Sequence, residues 1–469
     1  MKANVALAST PDSGLYRRVW RWHFYAGLVC LPFLALMALT GALYLFNEQI
    51  ESLVYSRVRF AEAAPGQVLD AESLLARAEA AEAGEAIRFV APEAGRTAEV
   101  GIRTGEGMVS VYLHPVGGQV LGRLRDDFKL MEVVKRIHSL EIVGTLGNHW
   151  IEVVAGWAIV LVLSGIFLWW PRGRSGGICS VRGRPRQRIW WRDLHAVTGM
   201  VAAAAILFLA VTGLPWSAFW GTQFGRLTAE WGIGLPKYLF GPAPRSSPPL
   251  ESLGHVPWTL LQVPMPQSAP QSAPQSAHHA GHAADAPSVP AAGTAAPSIG
   301  LNKALDKFVS LGLPAGTPVN LPAGPRGVYT AMLFPDDVRA QRVVHLDRYS
   351  GVVLADVGYP DYGVAGRTIE WGINLHTGRQ FGWANQLVML AGCLAILALA
   401  ISAAVMWWKR RPRGRLAAPP RLAGDRAAVG AISVAVLFGL IYPLLGASML
   451  VALLVDALVP QRWHERFGL

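Results

Sequence analysis

Cysteine is nearly absent: the chain of 469 residues has three. Cys30 and Cys393 fall inside apolar runs, where a small buried side chain is the expected role, and Cys179 falls in a basic stretch. The two long polar segments have none, which excludes a disulfide framework there. Charged residues make up only 16% of the chain. No short basic segment contains a G-x-G-x-x-G strand–turn–helix element, so a built-in flavin or nicotinamide domain is excluded. The later apolar runs also lack the series of Met, Cys or acidic residues that would line an ion path.

What the sequence has in quantity is apolar: 52% hydrophobic residues and 17 tryptophans. Five runs are long enough to cross a bilayer, at about Trp20–Phe46, Ile151–Trp170, Leu194–Trp216, Leu387–Trp408 and Val429–Val455. Tyr16-Arg17-Arg18 looks like the n-region of a signal peptide. The run behind it is too long for an h-region and no A-x-A site follows, which predicts an uncleaved signal anchor.

The net charge of +11 does not point to nucleic acid, because of where it sits. Arg172, Arg174, Arg182, Arg184, Arg186, Arg188 and Arg192 separate runs two and three; Lys409, Arg410, Arg411, Arg413, Arg415, Arg421 and Arg426 separate runs four and five. Short basic loops at span ends are cytoplasmic. The N-terminus is then cytoplasmic, the long loops lie outside, and the C-terminus ends outside. The expected organisation is residues 1–47 as N-terminus and first span, 48–148 as a first external domain, 149–171 as the second span and 172–192 as a basic loop. Residues 193–216 form the third span and 217–383 a second external domain, with a disordered insertion at about 243–299. Residues 384–408 are the fourth span, 409–427 a basic loop, 428–456 the fifth span and 457–469 an external tail.

The chain repeats itself. His23, Gly27, Thr40 and Gly41 recur as His195, Gly199, Thr212 and Gly213, each shifted by 172. His138, Gly144 and Trp169-Trp170 recur as His376, Gly382 and Trp407-Trp408, each shifted by 238. Between them, V111-Y-L-H-P-V-G-G-Q-V-L121 parallels V344-H-L-D-R-Y-S-G-V-V-L354, both reading as strand, glycine turn, strand. The fold class is an α-helical integral membrane protein with five transmembrane helices. Its two halves are parallel repeats about an axis along the membrane normal, each carrying an external α+β domain. The longer second loop holds three P-Q-S-A units and then H278-H-A-G-H282, a composition that cannot bury a core.

Ionisable residues at membrane spans are functional candidates, although a single His at a span end can equally be an interfacial residue reaching for water. The duplication changes that balance. It places His23 opposite His195 on the cytoplasmic side and His138 opposite His376 on the external side. Two facing imidazoles from two helices are the axial ligands a buried b-type haem needs. Gly27 and Gly199, one turn on from their histidines, leave room for a flat macrocycle or for close helix packing. Thr40 and Thr212 have a packing role with a hydrogen bond to haem. His149, at the start of the second span, is an alternative external ligand to His138. His114, His255, His345 and His464 have no repeat partner and read as surface histidines. His278, His279 and His282 can capture a divalent transition metal weakly, or belong to a neutral insertion.

The set H23-x3-G27 with T40-G41, its copy at His195, L375-H-T-G-x3-G382 and the two W-W-basic endings resembles the PepSY-associated transmembrane family. The paired hairpins resemble PepSY-type external domains, and the resemblance covers about residues 15–410. It implies a bacterial inner-membrane protein of iron uptake. Members include haem-containing ferric-siderophore reductases, which implies haem ligation at His23, His138, His195 and His376 and release of iron as Fe²⁺ in the periplasm. S139-L-E-I-V departs from T377-G-R-Q-F in the second copy and makes His138 the weaker match. The leading expectation is an electron conduit of two b-type haems, running from a cytoplasmic or quinol donor to a periplasmic acceptor such as a ferric siderophore. The alternatives are a non-enzymatic PepSY-domain binding or regulatory protein and a copper or iron uptake accessory protein.

Overall fold

A computed structural model describes residues 12–171, 177–234, 245–249, 258–260, 264–268, 297–419, 427–460 and 462–463. His278, His279 and His282, with the P-Q-S-A repeats after Ser268, lie outside the described residues, as do His255 and His464. In chain order the first copy contains α1 (Asp12–Tyr44), α2 (Asn47–Val54), α3 (Ser56–Arg59), α4 (Ala71–Ala81), β1 (Glu85–Val90), β2 (Ala98–Thr104), β3 (Gly107–Leu113), β4 (Val120–Arg125), α5 (Leu130–His138) and α6 (Thr145–Trp169). The second contains α7 (Arg188–Gly213), α8 (Ala218–Trp231), β5 (Arg245–Pro249), β6 (Pro264–Pro266), α9 (Leu301–Ser310), β7 (Val319–Asn320), β8 (Val328–Leu333), β9 (Arg342–Asp347), β10 (Val353–Gly358), α10 (Val364–His376) and α11 (Trp383–Arg410). Two further helices follow, α12 (Ala427–Ile441) and α13 (Pro443–Leu458). The chain divides into a helical unit of residues 1–46, 134–223 and 375–469, and a sheet unit of residues 47–133 and 224–374.

In the helical unit, four helices are long and apolar enough to cross a membrane: Gly14–Tyr44, Thr145–Trp169, Arg188–Trp216 and Trp383–Arg410. They form a ring, α1 against α6, α6 against α7, α7 against α11 and α11 against α1. Exchanging α1 with α7 and α6 with α11 leaves that ring unchanged, as a twofold relation between repeats requires. The copies also share their ends. Trp169 and Trp407 each donate an indole N–H to a carbonyl nine residues on, Ile178 at 3.1 Å and Leu416 at 3.0 Å. Arg410 stacks over Trp20 and Phe24 at that basic end.

The run Val429–Val455, read in the sequence as one span kinked at Pro443, is two helices instead. At 15 and 16 residues they are about 22 and 24 Å long, short of a hydrocarbon core of roughly 30 Å. Pro443 opens α13, and Tyr442 before it leaves helical geometry (φ −139°, ψ 79°), so α12 stops there. The helices fold back on each other: a side chain on Gly446 would strike the backbone of Gly439 and come within 2.8 Å of the Ala435 carbonyl. α13 then descends α6. Tyr442 Oη reaches the Glu152 carbonyl at 3.3 Å, Trp157 Nε1 donates to Ser448 at 3.0 Å, and Asp456 meets Arg21 at 3.6 Å. The far end of α13 therefore lies beside the start of α1. A C-terminus on the opposite face from the N-terminus, as expected from five spans, does not fit this path.

In the sheet unit the strands of both copies form one antiparallel sheet ordered β10-β9-β8-β7-β1-β2-β3-β4. The copies join at β1 and β7, with Arg88 opposite Asn320 and Phe89 opposite Val319. The core draws on both copies and on both long helices: Leu74 and Ala78 of α4, Ala304 and Phe308 of α9, with Phe89, Val100, Ile102, Val111, Ala331, Val344 and Leu346 from the strands. The helices α4 and α9 lie against each other, and Asn302 takes the N–H of Ala71 at 2.9 Å where α4 starts. His345 is not a surface residue. It is 1% exposed on β9 and hydrogen-bonds Thr330 on β8 at 2.9 Å. His114 makes a surface contact with the Glu62 carbonyl.

Candidate functional site

The four histidines matched by the repeats all lie in the helical unit. His23 is near the start of α1 and His195 near the start of α7; His138 and His376 are the last residues of α5 and α10. After each of the latter two, the chain reverses sharply into a long helix. His376 is followed by Gly378 (φ 78°) and Gly382 (φ 54°), and His138 by Leu140 (φ 54°) and Gly144 (φ 86°). The backbone thus makes the same turn in both copies despite the leucine in S139-L-E-I-V.

Each imidazole is held by a hydroxyl of a neighbouring helix. His138 Nδ1 meets Thr40 Oγ1 at 2.9 Å and His376 Nδ1 meets Thr212 Oγ1 at 2.8 Å. His23 Nδ1 meets Ser164 Oγ at 2.8 Å and His195 Nδ1 meets Ser402 Oγ at 3.1 Å. The hydroxyl protons are already used within their own helices. Thr40 donates to Leu36, Thr212 to Phe208 and Ser164 to Val160, each at 2.7 Å, and Ser402 donates to Leu399 at 3.0 Å. A hydroxyl whose one proton is committed can only accept, so each Nδ1 must carry the hydrogen. His195 Nδ1 also faces the Leu399 carbonyl at 3.3 Å, which requires the same tautomer. All four Nε2 lone pairs remain for a ligand.

His23 lies within electrostatic reach of His195, and His376 of His138. The two levels are far apart. His23 and Thr40, which holds His138, are both on α1 and separated by about 25 Å of helix. Ala38, Cys393 and Ile396, packed with Leu34, Ala42, Ile206, Leu209 and Leu397, form an apolar seam in the bundle.

The glycines mark where space is kept. A Cβ on Gly41 would lie 3.4 Å from His138 Cε1, and one on Gly213 3.6 Å from His376 Cε1. A Cβ on Gly27 would meet only Leu161 Cδ2 at 3.8 Å, and one on Gly199 only Leu399 Cδ2 at 3.4 Å. Protein packing therefore leaves room at both. His149 Nδ1 bonds the Thr145 carbonyl of its own helix at 2.8 Å, and His138 is the histidine coupled to His376. Trp216 stands edge-on to His376, ring centres 6.2 Å apart.

A family model described as PepSY-associated TM region matches residues 20–410. The chain belongs to that family. The match takes in all four of these histidines of this PepSY-associated protein, both of its long polar segments and its four long apolar helices from residue 20 on. A comparison with curated proteins returns no match.

The sequence pattern does not single out Ser164 and Ser402, and it gives Thr40 and Thr212 a packing role with a hydrogen bond to haem, whereas in the structure they bond histidine. The signal was present: Ser164 and Ser402 stand apart by the same 238 residues as His138 and His376. Among the described residues no three His, Cys, Asp or Glu side chains gather to hold a bare ion. Each imidazole pair can instead give two nitrogen donors to one centre that brings its remaining ligands with it.

Proposed function

We propose that this PepSY-associated protein holds two b-type haems, one between His23 and His195 and one between His138 and His376, and conducts electrons across a bacterial inner membrane to reduce ferric siderophores in the periplasm. The observation that carries this reading is that Nδ1 of each of the four imidazoles faces a Ser or Thr hydroxyl already bonded within its own helix, an arrangement that leaves Nε2 for a ligand. Outer hydrogen bonds of this kind orient a metal-binding imidazole and strengthen it as a donor. The space at Gly27 and Gly199 suits a flat macrocycle lying on the backbone.

Haem supplies reversible one-electron iron chemistry when bound. The chain does the rest. Thr40 and Thr212 hold the His138 and His376 rings, while Ser164 and Ser402 hold those of His23 and His195. The apolar seam around Ala38, Cys393 and Ile396 keeps water away beside the His138 level. The indole of Trp216, half exposed beside His376, offers a contact for an acceptor on that side. A siderophore binds Fe³⁺ through hard oxygen donors, so one-electron reduction loosens the metal. The basic loops at the other end support a cytoplasmic side for the His23 level.

The test is a haem count by pyridine haemochrome on detergent-purified protein expressed with ample haem, together with the reduced-minus-oxidised spectrum. About two low-spin b-type haems per chain are expected. His23→Ala and His195→Ala should remove the same haem, and His376→Ala the other. A featureless spectrum would overturn the reading and turn attention to the sheet unit as a binding module.

A further inference from the structure

A second polar constellation lies in the helical unit, apart from the histidines. Glu152 is inside α6 and 1% exposed, a position where a carboxylate is costly and functional by default. Its Oε2 accepts the N–H groups of Phe219 at 3.1 Å and Trp220 at 3.3 Å, at the start of α8. Among the described residues its Oε1 has no partner, and neither has the buried indole N–H of Trp220. The neighbouring indole, Trp157, is by contrast bonded to Ser448. Tyr442, at the break between α12 and α13, lies tilted against Trp220 with ring centres 6.3 Å apart, and its hydroxyl is on the Glu152 carbonyl. Leu445, Met449, Leu214 and Phe438 make the surroundings apolar.

One free acceptor and one free donor, buried among aromatic rings, are unfavourable unless a ligand supplies the complement. The complement is a flat, lipid-soluble ring whose hydroxyl donates to Oε1 and whose oxygen accepts from the indole. We propose that Glu152, Trp220 and Tyr442 form the head-group site of a membrane hydroquinone, the electron donor to the imidazole-held iron of the function proposed above, on which this rests. In one turnover the hydroquinone becomes a quinone and loses two protons and two electrons. The first proton goes from the ring hydroxyl to Glu152 Oε1 and the second to solvent. Haem held by the paired histidines would supply the one-electron acceptors for the two electrons. Glu152 is then the proton acceptor. Capping α8 with only one carboxylate oxygen leaves the other free for that task.

The test compares wild type with Glu152→Gln, which keeps an oxygen for the α8 N–H groups, and Trp220→Phe, which removes the indole N–H together with part of the ring. Anaerobic mixing of holoprotein with a short-chain hydroquinone should reduce the α-band rapidly in wild type and at least tenfold more slowly in both variants. Haem content and reduction by dithionite should be unchanged. A short-chain azidoquinone should photolabel the peptides around Glu152, Trp220 or Tyr442 in wild type and lose that labelling in Glu152→Gln. Equal reduction rates in all three proteins, or labelling elsewhere, would overturn the site and leave a bound water as its occupant. Haem that dithionite reduces but hydroquinone does not would also overturn it, while the haem reading stands. Labelling at these residues without haem would do the reverse.

Discussion

At the scale of single residues, the informative atoms are the four hydroxyls that face the imidazoles. Each accepts from Nδ1–H and spends its own proton on its helix, so removing it frees the ring to rotate and to change tautomer. Ser164→Ala should lower haem affinity at the His23–His195 level by about 10- to 100-fold and leave the other level intact; Thr40→Val should do the opposite. Haem titration of apoprotein, with the two α-bands resolved, checks both. Leu140 is a different case. Its backbone sits at φ 54°, where the second copy has Gly378. A side chain costs about 1–2 kcal/mol there, so Leu140→Gly should raise the thermal midpoint of the purified protein without altering haem content. The histidines and glycines of this site were legible from the repeat alone. The serines were not singled out, because a Ser within an apolar run has no periodic signature until a histidine is known to face it.

At the scale of elements, the shared sheet carries its own pH dependence. His345 is closed into the sheet, and burial pushes its pKa down to about 4 from an ordinary value of 6.5. The folded protein keeps it neutral across that interval while the unfolded chain protonates. The unfolded state then gains protons as pH falls from 6.5 toward 4, and stability declines by up to about 1.4 kcal/mol per pH unit. Amide exchange of β8 and β9 in the full-length protein should quicken as pH is lowered from 7 to 5, after correction for intrinsic rates. His345→Gln should flatten that trend. Reading His345 as a surface residue failed because alternation along β9 does not say whether the second face of a strand is covered. Here every residue from Val343 to Asp347 is buried.

At the scale of the whole molecule, the C-terminal hairpin decides topology. Val429–Val455 has the length and hydropathy of a span, yet the chain turns at Tyr442-Pro443 and returns along α6 to the pair Arg21–Asp456. A fluorescent protein fused after Leu469 should therefore light up in the cytoplasm. The same residues should fail to activate a fused periplasmic phosphatase. An active phosphatase would restore a fifth span.

The sequence by itself determined the four long apolar helices, the recurring spacing of four histidines and the family, because spacing survives without coordinates. Tertiary structure alone decided three things. It joined two runs of strands into one sheet, since an edge strand gives no local sign of its partner. It folded the last apolar run into a hairpin, since a Pro in an apolar run is compatible with either a kink or a break and the packing of Gly439 on Gly446 chose the break. It also placed Ser164 and Ser402 on the imidazoles and left one oxygen of Glu152 bare, because hydrogen bonds between helices depend on how the helices rotate against one another.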